Sequence, residues 1–189
     1  MEEWLMVSIV DLERLVGPPS QPPIRVDWPA FEAALGLQLP SDYKDVFDVY
    51  RTLEFGQFVG VFHPGSDAEE NRHDTVATLS PLKYMIDEMG GLEDVAAVDG
   101  EEERVRFAVY PEPGGLLLWG STWNGDLCLW HTIGEDPNLW PTVITDSIVF
   151  WEYPKGMTEF LVGVMDQTIR CPIFPDDFPS SHRVRQIAD

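Results

Sequence analysis

The stretch Leu116-Leu117-Leu118-Trp119-Gly120-Ser121-Thr122-Trp123-Asn124-Gly125-Asp126-Leu127-Cys128-Leu129-Trp130 decides the fold class. Two short apolar runs, Leu116–Trp119 and Leu127–Trp130, flank Asn124-Gly125. Asn-Gly is the strongest short signal for a hairpin, because a tight turn between twisted strands needs positive φ angles that Gly adopts freely and Asn tolerates. The segment predicts two antiparallel strands. Just upstream, Val105, Phe107 and Val109 alternate with Arg106, Ala108 and Tyr110, the period of a strand. Downstream, Thr142–Ile144 and Ile148–Tyr153 predict a second hairpin across Thr145-Asp146-Ser147.

Before this region the period is helical. Leu5, Ile9, Leu12 and Val16 share one face of a helix over 2–16, which Gly17-Pro18-Pro19 stops; Gly17 to Pro23 reads as a linker. A second helix is expected over Trp28–Leu35, with Asp27 as its cap, Pro29 in its first turn and Gly36 at its end. Leu39-Pro40-Ser41-Asp42-Tyr43 opens a third, placing Tyr43, Val46, Phe47, Tyr50 and Leu53 on one face and ending near Gly56. Phe58 to Phe62 is a strand candidate, and His63 to Asp74 reads as a polar loop. Ser80-Pro81 is expected to open a helix with Leu82, Met85, Ile86 and Met89 in phase, closed by Gly90-Gly91. After the strands, Met157, Phe160, Leu161, Val164 and Met165 mark a closing helix. The tail from Arg170 is expected to pack as an extended strap through Ile173, Phe174 and Phe178. Helices first, antiparallel strands next and a helix last make an α+β fold: one domain, with a central, mostly antiparallel sheet.

Composition narrows the function classes. The chain has 189 residues, and 12 Lys and Arg stand against 33 Asp and Glu, for a formal net charge of −21. Such a chain repels phosphate backbones and anionic membrane surfaces, so neither direct nucleic-acid binding nor membrane binding is expected. With 44% hydrophobic and 12% aromatic residues, global disorder is excluded. Cys128 and Cys171 lie far apart and make no disulfide framework. Met1-Glu2-Glu3 lacks the basic start of a secretory leader, and the apolar runs are too short to span a bilayer. The expectation is a soluble cytoplasmic protein.

No phosphate-cradling Gly loop and no Gly-x-Ser-x-Gly elbow occurs. Ser41-Asp42-Tyr43-Lys44 matches Ser-x-x-Lys, in which a lysine would deprotonate the serine, but it opens an amphipathic helix and no companion motif follows. His63, His73, His131 and His182 form no His-x-x-x-His pair, and neither Cys belongs to a Cys-x-x-Cys knuckle. Pairs of acids abound, and in so acidic a chain a glycosidase-like carboxylate pair carries little information. Trp119, Trp130, Trp140 and Trp151 read as core, whereas Trp123 abuts the turn and is expected at the surface. No catalytic residue, cofactor or metal ligand is assigned. The informative feature is the acidic run Asp87, Glu88, Glu93, Asp94, Asp99, Glu101, Glu102 and Glu103, which no Lys or Arg interrupts. These acids and Trp123 are the candidate partner-binding residues, since complementary fields speed association and narrow partner choice.

Several blocks together are similar to the SUKH superfamily, a group of bacterial immunity proteins that also includes a fungal cell-wall-synthesis regulator. The first is Trp28…Phe31-Glu32…Leu35-Gly36 followed by Leu39-Pro40-Ser41-Asp42-Tyr43 and the helix to Tyr50. Where that family has a Tyr or Asn and Gly-rich turn, this chain has Glu54-Phe55-Gly56. The second is Leu117-Leu118-Trp119-Gly120-Ser121-Thr122-Trp123-Asn124-Gly125-Asp126; the third is Asp136-Pro137…Trp140-Pro141-Thr142-Val143-Ile144. Thr158-Glu159-Phe160-Leu161 and the Ile173-Phe174-Pro175…Phe178-Pro179 tail complete the pattern, which covers about residues 28 to 180. Three regions are expected: a helix and Pro-rich linker over 1–25, which lies outside the resemblance, a SUKH-like domain over 26–169, and a packed tail over 170–189. The resemblance implies a non-catalytic immunity protein that binds and blocks a cognate polymorphic toxin, often a nuclease. The expected partner is a basic toxin domain, and the protein itself is expected to be a monomer or weak dimer. A regulatory or scaffold module, and a hydrolase using carboxylates or Ser41 with Lys44, are the alternatives.

Overall fold

Local signals place most helices where the sequence expects them. The structure is a computed structural model that describes residues 9–97 and 104–187. Helix α1 spans Ile9–Val16; the expected residues 2–8 of this helix lie outside the described residues. In α2 (Trp28–Leu35) the Asp27 carboxylate accepts the Ala30 N–H, and Gly36 closes the helix at φ 73°. Helix α3 (Ser41–Val49) follows Pro40, whose side chain offers no cap. Asn138 supplies one instead: its Oδ1 accepts the Ser41 N–H and Oγ–H, both at 2.8 Å.

The strands are β1 (Leu53–Phe55), β2 (Val59–Val61), β3 (Leu92–Asp94), β4 (Arg104–Val105), β5 (Leu116–Thr122), β6 (Leu127–His131), β7 (Thr142–Thr145), β8 (Val149–Tyr153) and β9 (Val184–Gln186). They form one sheet in the order β4-β3-β8-β7-β6-β5-β2-β1-β9, antiparallel except for the pair β3–β8. With the helices this is the expected α+β fold. Register identifies the faces. Glu54, Gly60, Ser121, Leu127, Thr145 and Phe150 are successive cross-strand partners and share one face. The neighbouring residue Trp151 points to the other face, where it meets Phe160 of α5 (Met157–Met165) with ring centroids 6.3 Å apart. Trp119 lies 6.1 Å from the same ring, and Trp130 packs edge-on to Tyr43 of α3 at 5.0 Å. Helices α3 and α5 therefore cover this face. The tail joins them: Phe174 packs on Phe160 at 5.9 Å and on Phe58 at 5.4 Å.

Four expectations need correction. Residues His63 to Asp74 are not a loop throughout, and Ser80-Pro81 does not open a helix. One helix, α4, runs Ala68–Met89, capped by Asp67, whose carboxylate accepts the Glu69 and Glu70 N–H groups. Pro81 lies inside it; Ser80 Oγ donates to the Val76 carbonyl at 2.7 Å, one turn back. The first half of α4 lacks an apolar stripe, so periodicity did not reveal it, although the cap and the acidic first turn are helix-start signals. Second, α3 ends at Val49, and Leu53 lies in β1. Third, of the alternating 105–110 segment only Val105 lies in a strand, β4, and Val109 makes a single bridge to Leu116; Phe107 folds onto the sheet against Phe150 (4.7 Å) and His131 (5.1 Å). Fourth, the turn between β5 and β6 is wider than a two-residue loop. Only Gly125 takes a positive φ (91°), and Thr122 Oγ1 donates to Asp126 Oδ2 at 2.6 Å to close it.

A bulge at Trp119 breaks the β5–β6 register between Leu118 and Gly120. Gly120 is required there, because a Cβ would stand 2.5 Å from the Gly60 carbonyl oxygen. The segment around Phe107 packs on the Phe150 end of the second face and is tied to α4 by Arg106–Asp87 (2.7 Å) and by the Lys83–Glu112 ion pair, while α4 itself lies against β5. Among the described residues no helix lies over the Glu54–Gly60 end. Among the described residues no helix is long and apolar enough to cross a membrane.

Phe160→Ala should lower unfolding free energy by about 3–5 kcal/mol, because it empties the junction of sheet, α5 and strap. Leu139→Ala, at a position 75% exposed, should change it by no more than about 0.5 kcal/mol. Urea midpoints at constant m-value check both. Asn138→Ala should cost about 1 kcal/mol by uncapping α3 from a distance.

Candidate functional site

The uncovered end of the second face is a groove of about 590 Å³, lined by β1, β2, the β5 end and turn, and β9. Its floor is Gly60. A Cβ there would stand 2.9 Å from the Phe62 ring, so the glycine lets that ring lie down over β2. Phe62 remains 52% exposed and Trp123 74%. Tyr84 on α4 is also strongly exposed, at 62%, but Trp123 and Phe62 lie together on one groove, and paired exposed rings of this size mark contact surfaces. The Trp123 backbone is fixed, its N–H donating to the Phe58 carbonyl at 3.0 Å.

Glu54 lies beneath these rings, only 5% exposed. Its Oε2 accepts the Trp123 indole N–H at 3.1 Å, and its Oε1 accepts from Arg185 Nη1 at 3.1 Å. A buried carboxylate needs such partners, since an isolated one would be expelled or neutralised. Arg185 sits opposite Glu54 in the β1–β9 register, with its side chain 58% exposed. The indole edge is thus pinned while its face stays open. Among the described residues neither Trp123 nor Phe62 stacks on another ring.

The candidate partner-binding residues separate into two places. Trp123 belongs to the groove. Glu93 and Asp94 lie on β3, with β8, β7 and β6 between β3 and β5, roughly 19 Å from β5 at the usual strand spacing, and Asp87 and Glu88 lie at the end of α4. Cations from outside the acidic run reach into it: Arg106 and Lys83 to Asp87, and Arg104 to Glu93. Asp94 accepts the Ala96 N–H at 2.8 Å, and Glu88 is exposed. Asp99, Glu101, Glu102 and Glu103 lie outside the described residues. Sequence reasoning missed Glu54, Phe62 and Arg185. A hint was present for Glu54, a lone acid between Leu53 and Phe55. Arg185 gave none, because its strand is three residues long and pairs with β1 from more than a hundred residues away.

The other chemical candidates are engaged elsewhere. Ser41 donates to Asn138, while Lys44 pairs with Glu32 at 2.8 Å, so the two do not form a serine–lysine couple. His63 packs on Phe47 and contacts the Ile24 carbonyl, and His73 sits on α4. Among the described residues no three His, Cys, Asp or Glu side chains gather as metal ligands. Burial pushes the Cys128 thiol well up and Cys171 to about 12, so both stay protonated at neutral pH.

Asp126 closes the turn that carries Trp123 and is 6% exposed. Burial raises its pKa above the ordinary carboxylate value, the Thr122 hydroxyl opposes this, and Asp146 adds to it. A carboxyl harder to ionise when folded contributes stability below its unfolded pKa of about 3.9 and loses it as pH rises through the folded value. Asp126→Asn should therefore stabilise the protein at pH 7, with the gain fading as pH falls toward 4, as read by thermal melts across pH. Comparison with protein-family models, curated proteins and solved structures found no match for this chain.

Proposed function

We propose that this protein is a non-catalytic immunity protein of SUKH type, which neutralises one cognate toxin domain by binding it through the groove. The observation that carries the reading is the pair of exposed aromatic rings, Trp123 and Phe62, over an apolar, neutralised sheet surface. Large rings on a rigid strand scaffold supply contact area with little entropy to lose, and such residues dominate binding energy at protein interfaces. The groove's two ionisable side chains are tied to each other, so docking need not strand an unpaired charge. The field around them is that of a −21 protein, which steers a basic partner and slows an acidic one. The motifs behind the resemblance also support the reading: Leu39-Pro40 leads into α3, Gly125 turns the β5–β6 hairpin, and Trp140 is buried.

Co-expression with a panel of basic polymorphic-toxin domains tests this. One of them should lose its lethality and form a stoichiometric complex whose association slows with salt. Trp123→Ala should weaken that complex by at least about tenfold, the scale of an interface hot spot. Growth arrest by every toxin in the panel, together with weak binding to several unrelated housekeeping proteins, would instead establish a regulatory module.

A further inference from the structure

Resting on the docking role given to the groove, we infer that it is built to take a cationic side chain, an arginine or lysine projected by the partner protein, with its stem along Trp123 and Phe62 and its head at Glu54. Four observations converge on this chemistry. First, the indole face is open while its N–H is bound to a carboxylate. Negative charge at the ring edge deepens the negative potential over the face, which attracts cations. Second, Glu54 retains acceptor capacity: each carboxylate oxygen can take two hydrogen bonds, and one is in place on each. Third, an apolar occupant would strip the remaining water from that carboxylate without replacing it, whereas a guanidinium or ammonium replaces it with charge-assisted bonds. Fourth, the stem of such a residue is apolar, matching the Phe62, Phe58 and Ile187 lining, so the stem can be buried while the head finds its partner.

Charge complementarity selects the occupant. A second copy of this chain would bring another −21 charge to the surface, and an acidic peptide would face the same repulsion. A basic segment is drawn in. Arg185 occupies the position of the incoming head in the free protein. It holds Glu54 through one bond from an edge strand and is more than half exposed, so it can yield to a competing cation. Its removal therefore discriminates: in a cation site Arg185→Ala frees the carboxylate, and in an anion site it destroys binding.

The test uses the full chain and blocked tripeptides, acetyl-Gly-Arg-Gly-amide against acetyl-Gly-Leu-Gly-amide and acetyl-Gly-Glu-Gly-amide. Binding is read from the indole N–H resonance of Trp123, assigned with Trp123→Phe. The arginine peptide should move that resonance and saturate at roughly millimolar Kd, as a single exposed contact allows. Glu54→Gln and Phe62→Ala should each weaken it by about fivefold or more; the second variant changes an exposed ring and keeps the test open if the first unfolds. Arg185→Ala should tighten it. Equal shifts from the leucine peptide, or preference for the glutamate peptide abolished by Arg185→Ala, would overturn the inference. No toxin enters this titration. Toxin neutralisation without arginine binding removes the inference alone, and arginine binding without neutralisation removes the proposed role alone.

Discussion

Phe160 is the contact on which the rest of the structure depends. Its ring touches Trp119, Trp151 and Tyr153 from the sheet and Phe174 from the tail. The helix that carries it is buried on nearly every side, with Met157, Leu161, Val164 and Met165 all inside. An all-round apolar helix gains its stability from packing and little from propensity. Once α5 is seated, it orders the strand region beneath it and the strap above it. Edge-to-face rings are favoured over stacked ones by their quadrupoles, and most ring pairs here meet at steep angles. The Asp42 carboxylate links the start of α3 to the start of α5 by accepting the Thr158 N–H at 3.1 Å.

With one face committed to α3 and α5, the other is free to differ along its length. Lys83 and Arg106 tie the Phe107 segment, which packs on Phe150, to α4, and Arg104 ties β4 to β3. At the far end the strap adds β9 to β1 as an edge strand. Gln186 fastens that edge to the linker, donating to the Pro18 carbonyl at 2.9 Å and accepting the Ser20 N–H at 2.5 Å. Pairing and covering an edge protects it from other chains. The surface that stays accessible is consequently a sheet face, with its backbone hydrogen bonds satisfied and its side chains available for recognition.

The distribution of charge separates steering from grip. The chain is acidic throughout, which acts over a Debye length and sets how often a basic partner arrives. The groove is locally neutral and apolar, which sets how long a partner stays. The acidic run at Asp87 to Asp94 is partly compensated by its own cations, so exposed charge there is smaller than the sequence suggests. Surface ion pairs of this kind contribute little stability, and their effect is chiefly on the shape of the field.

The sequence by itself determined the α+β class, the α2 caps, the β5–β6 and β7–β8 hairpins, the closing helix and the exposure of Trp123. Each of these rests on a local pattern of capping, turn chemistry or periodicity within about twenty residues. Helix α4 was readable only in its second half, because its first half is capped and acidic but not amphipathic. Tertiary structure alone decided that Phe107 leaves its strand to pack on Phe150, that Asn138 caps α3, and that Arg185 reaches Glu54. The groove belongs to this second group. Its carboxylate, its rings and its arginine come from β1, β2, the β5 turn and β9, and they meet through long-range pairing, which leaves no periodic trace along the chain.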